Sequence, residues 1–343
     1  MRALVTGANG FLGRHVVGAL LARGIEVRAM VRPAACLGAL GWPSSVDVVR
    51  ADLRTSRELA CAFEGIGVLI HLAAVVSGAE DAQFSGTVAG TERLLQAMAG
   101  SACRRVVLCS SFSVYDYSTT HRTLDEDSPL HRVPDVYSRD GYTISKWWQE
   151  RVTRRFVEKY GWDLTVLRPG FVWGRDNGYL AALGQRLGRH HVVNGPLTRI
   201  PMTHVENCAD VFAQVAADPR ARGQTFNVVD GPGERIWRYL ADHMRGIGRP
   251  GWRLPVPYWL AISVVRLAFS TVLRRATKVP SILVPRRLEA RLKPLRFENR
   301  KLREMLRWTP PLDYQRCLLR TYGPAVLGTA TAPPSASRTA AST

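Results

Sequence analysis

One feature constrains this chain more than any other. Ala3-Leu4-Val5-Thr6 runs straight into Gly7-Ala8-Asn9-Gly10-Phe11-Leu12-Gly13, and an amphipathic stretch follows to Ala22. A buried strand, a tight turn and a helix in that order open a parallel α/β sheet. Gly7 permits the turn, Gly10 lets backbone approach a phosphate, and Gly13 lets the helix pack closely on the strand. With Asn9, Phe11 and Leu12 between them, these residues form an expected pyrophosphate cradle, because the free N–H groups and the dipole of a helix N-terminus favour anions. The chain is therefore expected to bind NAD or NADP.

The first half keeps the same alternation. Apolar runs at Glu26 to Val31, Val46 to Arg50, Val68 to Leu72, Arg105 to Ser110 and Leu164 to Arg168 read as further strands. Helical patterns at Leu12 to Ala22, Thr87 to Ala99 and Ile144 to Tyr160 separate them. The expected fold is a doubly wound Rossmann sheet with a smaller, discontinuous C-terminal substrate lobe. The sheet takes residues 1–173 and 204–230, including a strand at Thr225 to Val229. The lobe takes 174–203 and 231–322, and the Ala, Thr, Ser and Pro of 323–343 make a disordered tail.

The second strand ends in Val31-Arg32, where many NAD-specific sites place an acid. Arg32, with Arg28 or Arg14 as helpers, is suited to a 2′-phosphate, so NADP is the preferred cofactor and NAD the alternative. Further on, Tyr142-Thr143-Ile144-Ser145-Lys146 puts a phenol and an ammonium on one helical face. A nearby cation lowers a tyrosine's pKa toward a range useful for proton transfer. Ser110-Ser111-Phe112-Ser113 follows a buried strand upstream and offers a hydroxyl.

The glycine turn, the serine and YxxxK, in this order, resemble the extended short-chain dehydrogenase/reductases, or NAD-dependent epimerase/dehydratase family, across residues 1 to 322. The resemblance implies that Tyr142 is the catalytic acid/base, that Lys146 orients the nicotinamide ribose, and that Ser111 holds the substrate oxygen. It assigns Asp52 and Leu53 to the adenine, and Leu72, Ala73, Ala74 and Pro169 to the cofactor's surroundings. Thr87 stands where the family often has Asn. Phe112-Ser113 replaces the Asp-Glu pair of the sugar-nucleotide dehydratases, so dehydration is not expected. An NAD(P)-dependent dehydrogenase or ketoreductase acting on a secondary alcohol or ketone is the main expectation, and a nucleotide-sugar 4-epimerase the alternative. The family also implies a homodimer through the helices flanking YxxxK.

The net charge of +19 is concentrated late, with 22 Lys and Arg against 8 Asp and Glu from Asp218 to Arg320. That excess suits an anionic partner: a phosphorylated small-molecule substrate, a membrane surface or nucleic acid. A lipid-like substrate is implied instead by the likeness of Arg199 to His204 and of Tyr258 to Leu273 to the hydroxysteroid dehydrogenase and flavonoid reductase branches of the family. No recognition-helix or RNA-binding motif accompanies it, so no nucleic-acid partner is expected. Tyr258 to Leu273 is apolar but interrupted by Arg266, and Arg274, Arg275 and Lys278 follow it, so 258–278 suits a helix closing the lobe or, as a second reading, a peripheral membrane contact. The six cysteines lack CxxC spacing and His190-His191 lacks further ligands at metal spacing, so neither disulfides nor a metal is expected. A reduced, cytoplasmic setting follows, with the inner face of the membrane as its variant.

Overall fold

A computed structural model describes residues 1–56, 59–133, 135–180, 182–271 and 283–327. In chain order the first half comprises β1 (Arg2–Thr6), α1 (Phe11–Ala22), β2 (Glu26–Val31), β3 (Asp47–Arg50), β4 (Val68–His71), α2 (Glu80–Phe84), α3 (Gly90–Ala99), β5 (Arg105–Cys109), β6 (Thr123–Leu124), α4 (Gly141–Tyr160) and β7 (Asp163–Pro169). Next come β8 (Phe171–Trp173), β9 (Gln185–Leu187), β10 (His190–Asn194), β11 (Met202–His204), α5 (Val205–Ala217), β12 (Thr225–Val228), α6 (Ile236–Gly246) and β13 (Arg253–Val256). The last are α7 (Tyr258–Thr271), α8 (Pro285–Leu292), β14 (Arg296–Phe297), α9 (Arg300–Leu306) and α10 (Tyr314–Tyr322).

Seven parallel strands in the order β12-β7-β5-β4-β1-β2-β3 form the expected Rossmann sheet. A parallel sheet covered on both faces needs strands that are apolar on both sides, and Ala3, Leu4 and Val5 are fully buried accordingly. On one face α1 and α5 pack through Val16, Val17, Leu20, Val211, Phe212 and Val215. On the other, Leu94, Leu95 and Met98 of α3 meet Leu4, Leu69, Val106 and Leu108. The order reverses between β1 and β4, so the crevice at the carboxyl ends of these strands is where a sheet of this kind binds its ligand.

The lobe has its own core around Trp173, Leu183, Tyr239, Leu240, Ile262 and Val265. Its strands β13-β10-β9 form a mixed sheet, and β8 pairs with β11. These short strands carry no regular alternation that would expose them in the sequence. Two segments differ from expectation. The helix expected from Thr87 starts at Glu80 and passes through a π-helical turn at Ser85–Ala89. Leu302, Leu306 and Trp308, expected in the lobe, pack instead in the core that holds α1 and α5, where Trp308 Nε1 donates to Asp210. Of the expected tail, Pro324–Leu327 forms a short turn whose Val326 carbonyl accepts from Arg245, and 328–343 lies outside the described residues. Among the described residues no helix is long and apolar enough to cross a membrane.

The glycine turn is tight in fact. Gly7 has φ +68°, and a Cβ there would stand 3.0 Å from Ala73 N. A Cβ on Gly13 would collide with the carbonyl oxygens of Gly7 and Ala8, whereas one on Gly18, in the same helix, would meet nothing within 4 Å. Gly13→Ala is expected to cost about 2 kcal/mol or more through forced backbone displacement. Gly18→Ala should gain about 0.5–1 kcal/mol from helix propensity. Urea denaturation of the two variants reads both signs.

Candidate active site

The N-terminus of α1 is built to receive a phosphate. Gly10 caps it with no side-chain hydrogen bond, no acid lies in the first turn, and the first helical bond runs from Arg14 N to Gly10 O at 3.1 Å. The N–H groups of Phe11, Leu12 and Gly13 therefore face the crevice without a helical acceptor. Opposite them, Leu72 and Ala73 follow the end of β4, close enough to Gly7 that only a glycine fits. Thr6 Oγ1 accepts from Ala73 N at 3.3 Å and fixes this approach. These residues fit the pyrophosphate of a dinucleotide, whose nicotinamide supplies the hydride carrier when bound.

Around the expected adenine end, Asp52 Oδ1 accepts from Arg54 N at 2.8 Å and its carboxylate pairs with the Arg54 guanidinium at 2.8 Å. That pairing holds its pKa below the usual carboxylate value. Arg32 is exposed just beyond β2. Its two expected helpers are engaged elsewhere. Arg28 pairs with Asp47 at 2.6 Å and donates to the carbonyls of Cys61, Ala62 and Glu64, while Arg14 pairs with Asp176 at 3.1 Å.

Tyr142 lies in the first turn of α4, whose N-cap Asp140 accepts from Thr143 N at 3.1 Å. Ser111 follows the end of β5 in extended conformation and accepts from Ser113 N at 3.1 Å through its hydroxyl, which lies near enough to the Tyr142 phenol to oppose the rise in its pKa. The structure thus joins Ser111 and Tyr142 across two elements. The neighbouring serines differ: Ser110 Oγ donates to Glu150 Oε2 at 2.8 Å, and the buried Ser113 hydroxyl has no protein partner among the described residues.

Lys146 is held from two sides. Its ammonium donates to Cys109 O at 2.7 Å and to Gln149 Oε1 at 2.9 Å. Burial lowers its pKa, against opposing effects of Cys109 and Glu150. Burial likewise raises the Tyr142 pKa well above the usual value, and the Ser111 hydroxyl only partly opposes it. Lys146 is not among the groups that shift the phenol. The lysine's charge is directed at the carbonyl that ends β5.

Gln149 was not foreseen. It is fully buried, and while its oxygen holds Lys146, its Nε2 reaches Thr91 Oγ1 at 2.9 Å, His71 Nε2 at 3.1 Å and Ala73 O at 3.2 Å. His71 Nδ1 is in turn 2.7 Å from Thr6 Oγ1. His71 Nε2 is also 2.8 Å from Thr91 Oγ1, whose hydroxyl proton goes to Thr87 O, so the neutral imidazole donates through Nε2 to Thr91 and accepts at Nδ1 from Thr6. Burial and the Lys146 charge push the His71 pKa down to about 3. Thr87 Oγ1, in the π-turn, accepts from Val75 N at 2.9 Å and fastens the loop after Ala74. The sequence signal for Gln149 was its place one helical turn after Lys146 on the same face.

A second buried group carries Glu150, which Arg168 meets at 2.6 Å and Arg154 at 2.8 Å. Burial pushes the Glu150 pKa up, but these arginines outweigh it and bring it to about 2. Arg168 also donates to Tyr115 Oη at 3.0 Å, which donates to Asn227 Oδ1 at 2.7 Å. The chain β5-α4-β7-β12 is thus tied by ionised and hydroxyl groups beneath the catalytic residues. Trp147 Nε1 donates to His131 O at 2.8 Å, and His204 packs on Trp173 with ring centroids 5.1 Å apart. No three His, Cys, Asp or Glu among the described residues are grouped to hold a metal.

A Rossmann crevice holding a capless helix N-terminus, Ser111, Tyr142 and Lys146 defines a nicotinamide-dinucleotide-dependent enzyme. The chain belongs to the NAD dependent epimerase/dehydratase family, whose model matches residues 3–229. It is 30% identical, over 96% of its length and 98% of the relative's, to a 4-hydroxy-2-methyl-3-oxo-4-farnesyl-3,4-dihydroquinoline-1-oxide ketoreductase of Stigmatella aurantiaca. It is 44% identical to sterol demethylase protein B of Methylococcus capsulatus, over 75% of this chain and 78% of that one. In fold it resembles the UDP-glucuronic acid 4-epimerase of Bacillus cereus solved with NAD, at a TM-score of 0.71 and 17% identity, covering 96% and 99% of the two chains.

The buried histidines give the protein a pH dependence. His71 titrates at about 3, and burial brings His131, His204 and His243 to about 4. Free histidine titrates near ~6.5, so their stabilising contribution is complete above that pH and is lost as pH falls toward 4. Asp230, raised to about 6 by burial, acts in the opposite sense: its contribution is present at low pH and is lost as pH rises through 6. Four groups outweigh one. The melting temperature is expected to drop between pH 7 and pH 5, read by differential scanning calorimetry; an unchanged melting temperature would contradict the neutral assignments.

Proposed function

We propose that the protein is an NADP-preferring dehydrogenase or ketoreductase that interconverts a secondary alcohol and a ketone on a lipid-like scaffold. The observation that carries the reading is the Ser111–Tyr142 pair beside Lys146, with Phe112 and Ser113 where elimination would need a carboxyl pair. In the reductive direction, Ser111 Oγ donates a hydrogen bond to the substrate carbonyl oxygen and Tyr142 delivers the proton to it. The Lys146 ammonium, steadied by Cys109 O and Gln149, is left with one N–H for the nicotinamide ribose. The similarity to a farnesyl-quinoline ketoreductase of Stigmatella and to a sterol demethylase protein of Methylococcus supports a lipid-like ketone or alcohol as substrate.

The second reading is a nucleotide-sugar 4-epimerase, which oxidises and re-reduces one carbon. The family's own description and the Bacillus cereus neighbour favour it. In this chain Arg199, the nearest counterpart of the arginine that grips a nucleotide diphosphate in such enzymes, donates to Gly233 O at 2.7 Å. A homodimer through α3 and α4 is part of the proposal, and light scattering of the purified chain reads it.

Net redox separates the two readings. Stoichiometric change of absorbance at the reduced-nicotinamide band with a ketone or sterol-like alcohol supports the first. Conversion of a UDP-hexose without any such change would replace it with the second. Tyr142→Phe is expected to lower turnover by about two to four orders of magnitude while nucleotide affinity, measured by fluorescence titration, stays within about twofold. Near-normal turnover in that variant would remove Tyr142 from its role. Arg32→Ala should weaken NADP binding by about tenfold or more and leave NAD nearly unchanged, since a charge-assisted phosphate contact contributes about 1.5–3 kcal/mol. Equal effects on both cofactors would refute the NADP preference.

A further inference from the structure

Helix α7 is apolar on two faces. Ile262 and Val265 turn into the lobe core, with Tyr258 and Ala261 packed at its margin. Trp259, Leu260, Val264 and Leu267 face outward, between 42% and 67% exposed. A surface helix in water keeps its outer face mostly polar, whereas α7 sets Ser263, Arg266 and Ser270 among four large exposed apolar side chains, a mixture that suits the boundary between water and a second apolar environment. Strand β13, which runs into α7 through Pro257, exposes Leu254; Trp252, just before it, is exposed while stacking on His190, and β9 exposes Leu187. These elements are contiguous. Gln185, Asn194 and Val256 of the sheet and Leu260, Val264 and Leu288 of the helices border one cleft of about 300 Å³.

Charge says what covers this face. The chain has no Asp or Glu between Asp176 and Glu206, nor between Asp242 and Glu289, and these two segments supply the sheet and α7. Within them Arg186, Arg189 and Arg249 are exposed. Arg266 pairs with Glu289 at 2.6 Å and so ties α7 to α8. Arg274, Arg275 and Lys278 follow α7 in sequence and lie outside the described residues. A protein partner with an apolar patch would leave this one-signed rim unmatched. An anionic bilayer matches both parts, because its boundary takes tryptophan and leucine while its phosphates take arginine.

We propose that the face formed by α7 and the β13-β10-β9 sheet seats the protein on the surface of an anionic lipid bilayer, as a peripheral contact. The helix lies in the plane of the surface with Trp259 and Leu267 inserted. Within the fold, α8 couples this face to the catalytic helix. Arg287 Nη2 donates to Arg139 O at 2.8 Å, one residue before the α4 cap, and Arg286 meets Asp135 at 3.0 Å. The seat thus lies one helix away from the loop that leads into Tyr142. The proposal does not depend on which reaction Tyr142 performs, so vesicle binding and turnover fail separately.

The test is co-sedimentation of the full chain with phosphatidylcholine vesicles, with and without phosphatidylglycerol, at low and high salt. Binding should be at least about tenfold tighter to the anionic vesicles and weaken with salt, since each basic residue near such a surface adds to the attraction. Trp259→Glu combined with Leu267→Glu should lose at least about tenfold of that binding while nucleotide affinity and melting temperature hold. A wild-type chain that stays in the supernatant with both vesicle types overturns the proposal, as does a double variant that binds as the wild type does. So does light scattering in which the double substitution converts a dimer to a monomer, because a second copy then covers the face.

Discussion

A polar stripe buried on α4 holds the site together. Lys146, Gln149, Glu150 and Thr153 recur at three- and four-residue intervals and face the sheet, all buried. Buried polar groups of this kind are tolerated only when every one is answered. Lys146 is held by Cys109 O, Gln149 bridges to His71 and Thr91, Glu150 meets Arg168 and Ser110, and Thr153 donates to Gln149 O at 2.8 Å. Removing one partner of the Glu150–Arg168 pair would leave an unmatched charge, at a cost of about 3–5 kcal/mol. The stripe therefore fixes the rotation of α4, and that rotation decides where Tyr142 stands relative to Ser111.

The same stripe reaches the nucleotide side. Gln149 touches Ala73 O, Ala73 N meets Thr6, and the Ala73 backbone lies against Gly7. One continuous set of hydrogen bonds thus runs from the ammonium of Lys146 to the glycine turn. Lys146 and the glycine turn, over a hundred residues apart, are held in one register by side chains of ordinary type. Neutral His71 sits in the middle of this run, where a charged imidazole would be an unpaired buried cation beside Lys146.

The glycine turn, the sheet and the YxxxK helix were legible because each carries a local pattern. A strand buried on both faces is a run of apolar residues, and a helix that caps at Asp140 announces itself. Gln149 and Glu150 were not singled out, because polar residues on a helix usually mark its solvent face. The lobe resisted reading for a different reason. Its strands span three to five residues and pair across long separations, β10 with β13 and β8 with β11, so neither periodicity nor turn chemistry marks them. The expected help of Arg28 for Arg32 failed on tertiary grounds, since β3 places Asp47 beside Arg28 and draws it away from the crevice.

Sequence alone determined the class of fold and singled out the glycine turn and three candidate reactive groups. Glycine spacing and helical periodicity are properties of neighbouring residues, and neighbours fix them. Tertiary structure alone decided that Lys146 is directed at the end of β5, that Tyr142 is driven up in pKa by burial, and that α7 keeps an apolar face outward. Each of these depends on what lies across the fold: a carbonyl of β5, the density of protein around a hydroxyl, the area that α8 and β13 leave uncovered. A one-dimensional pattern carries no record of such distances.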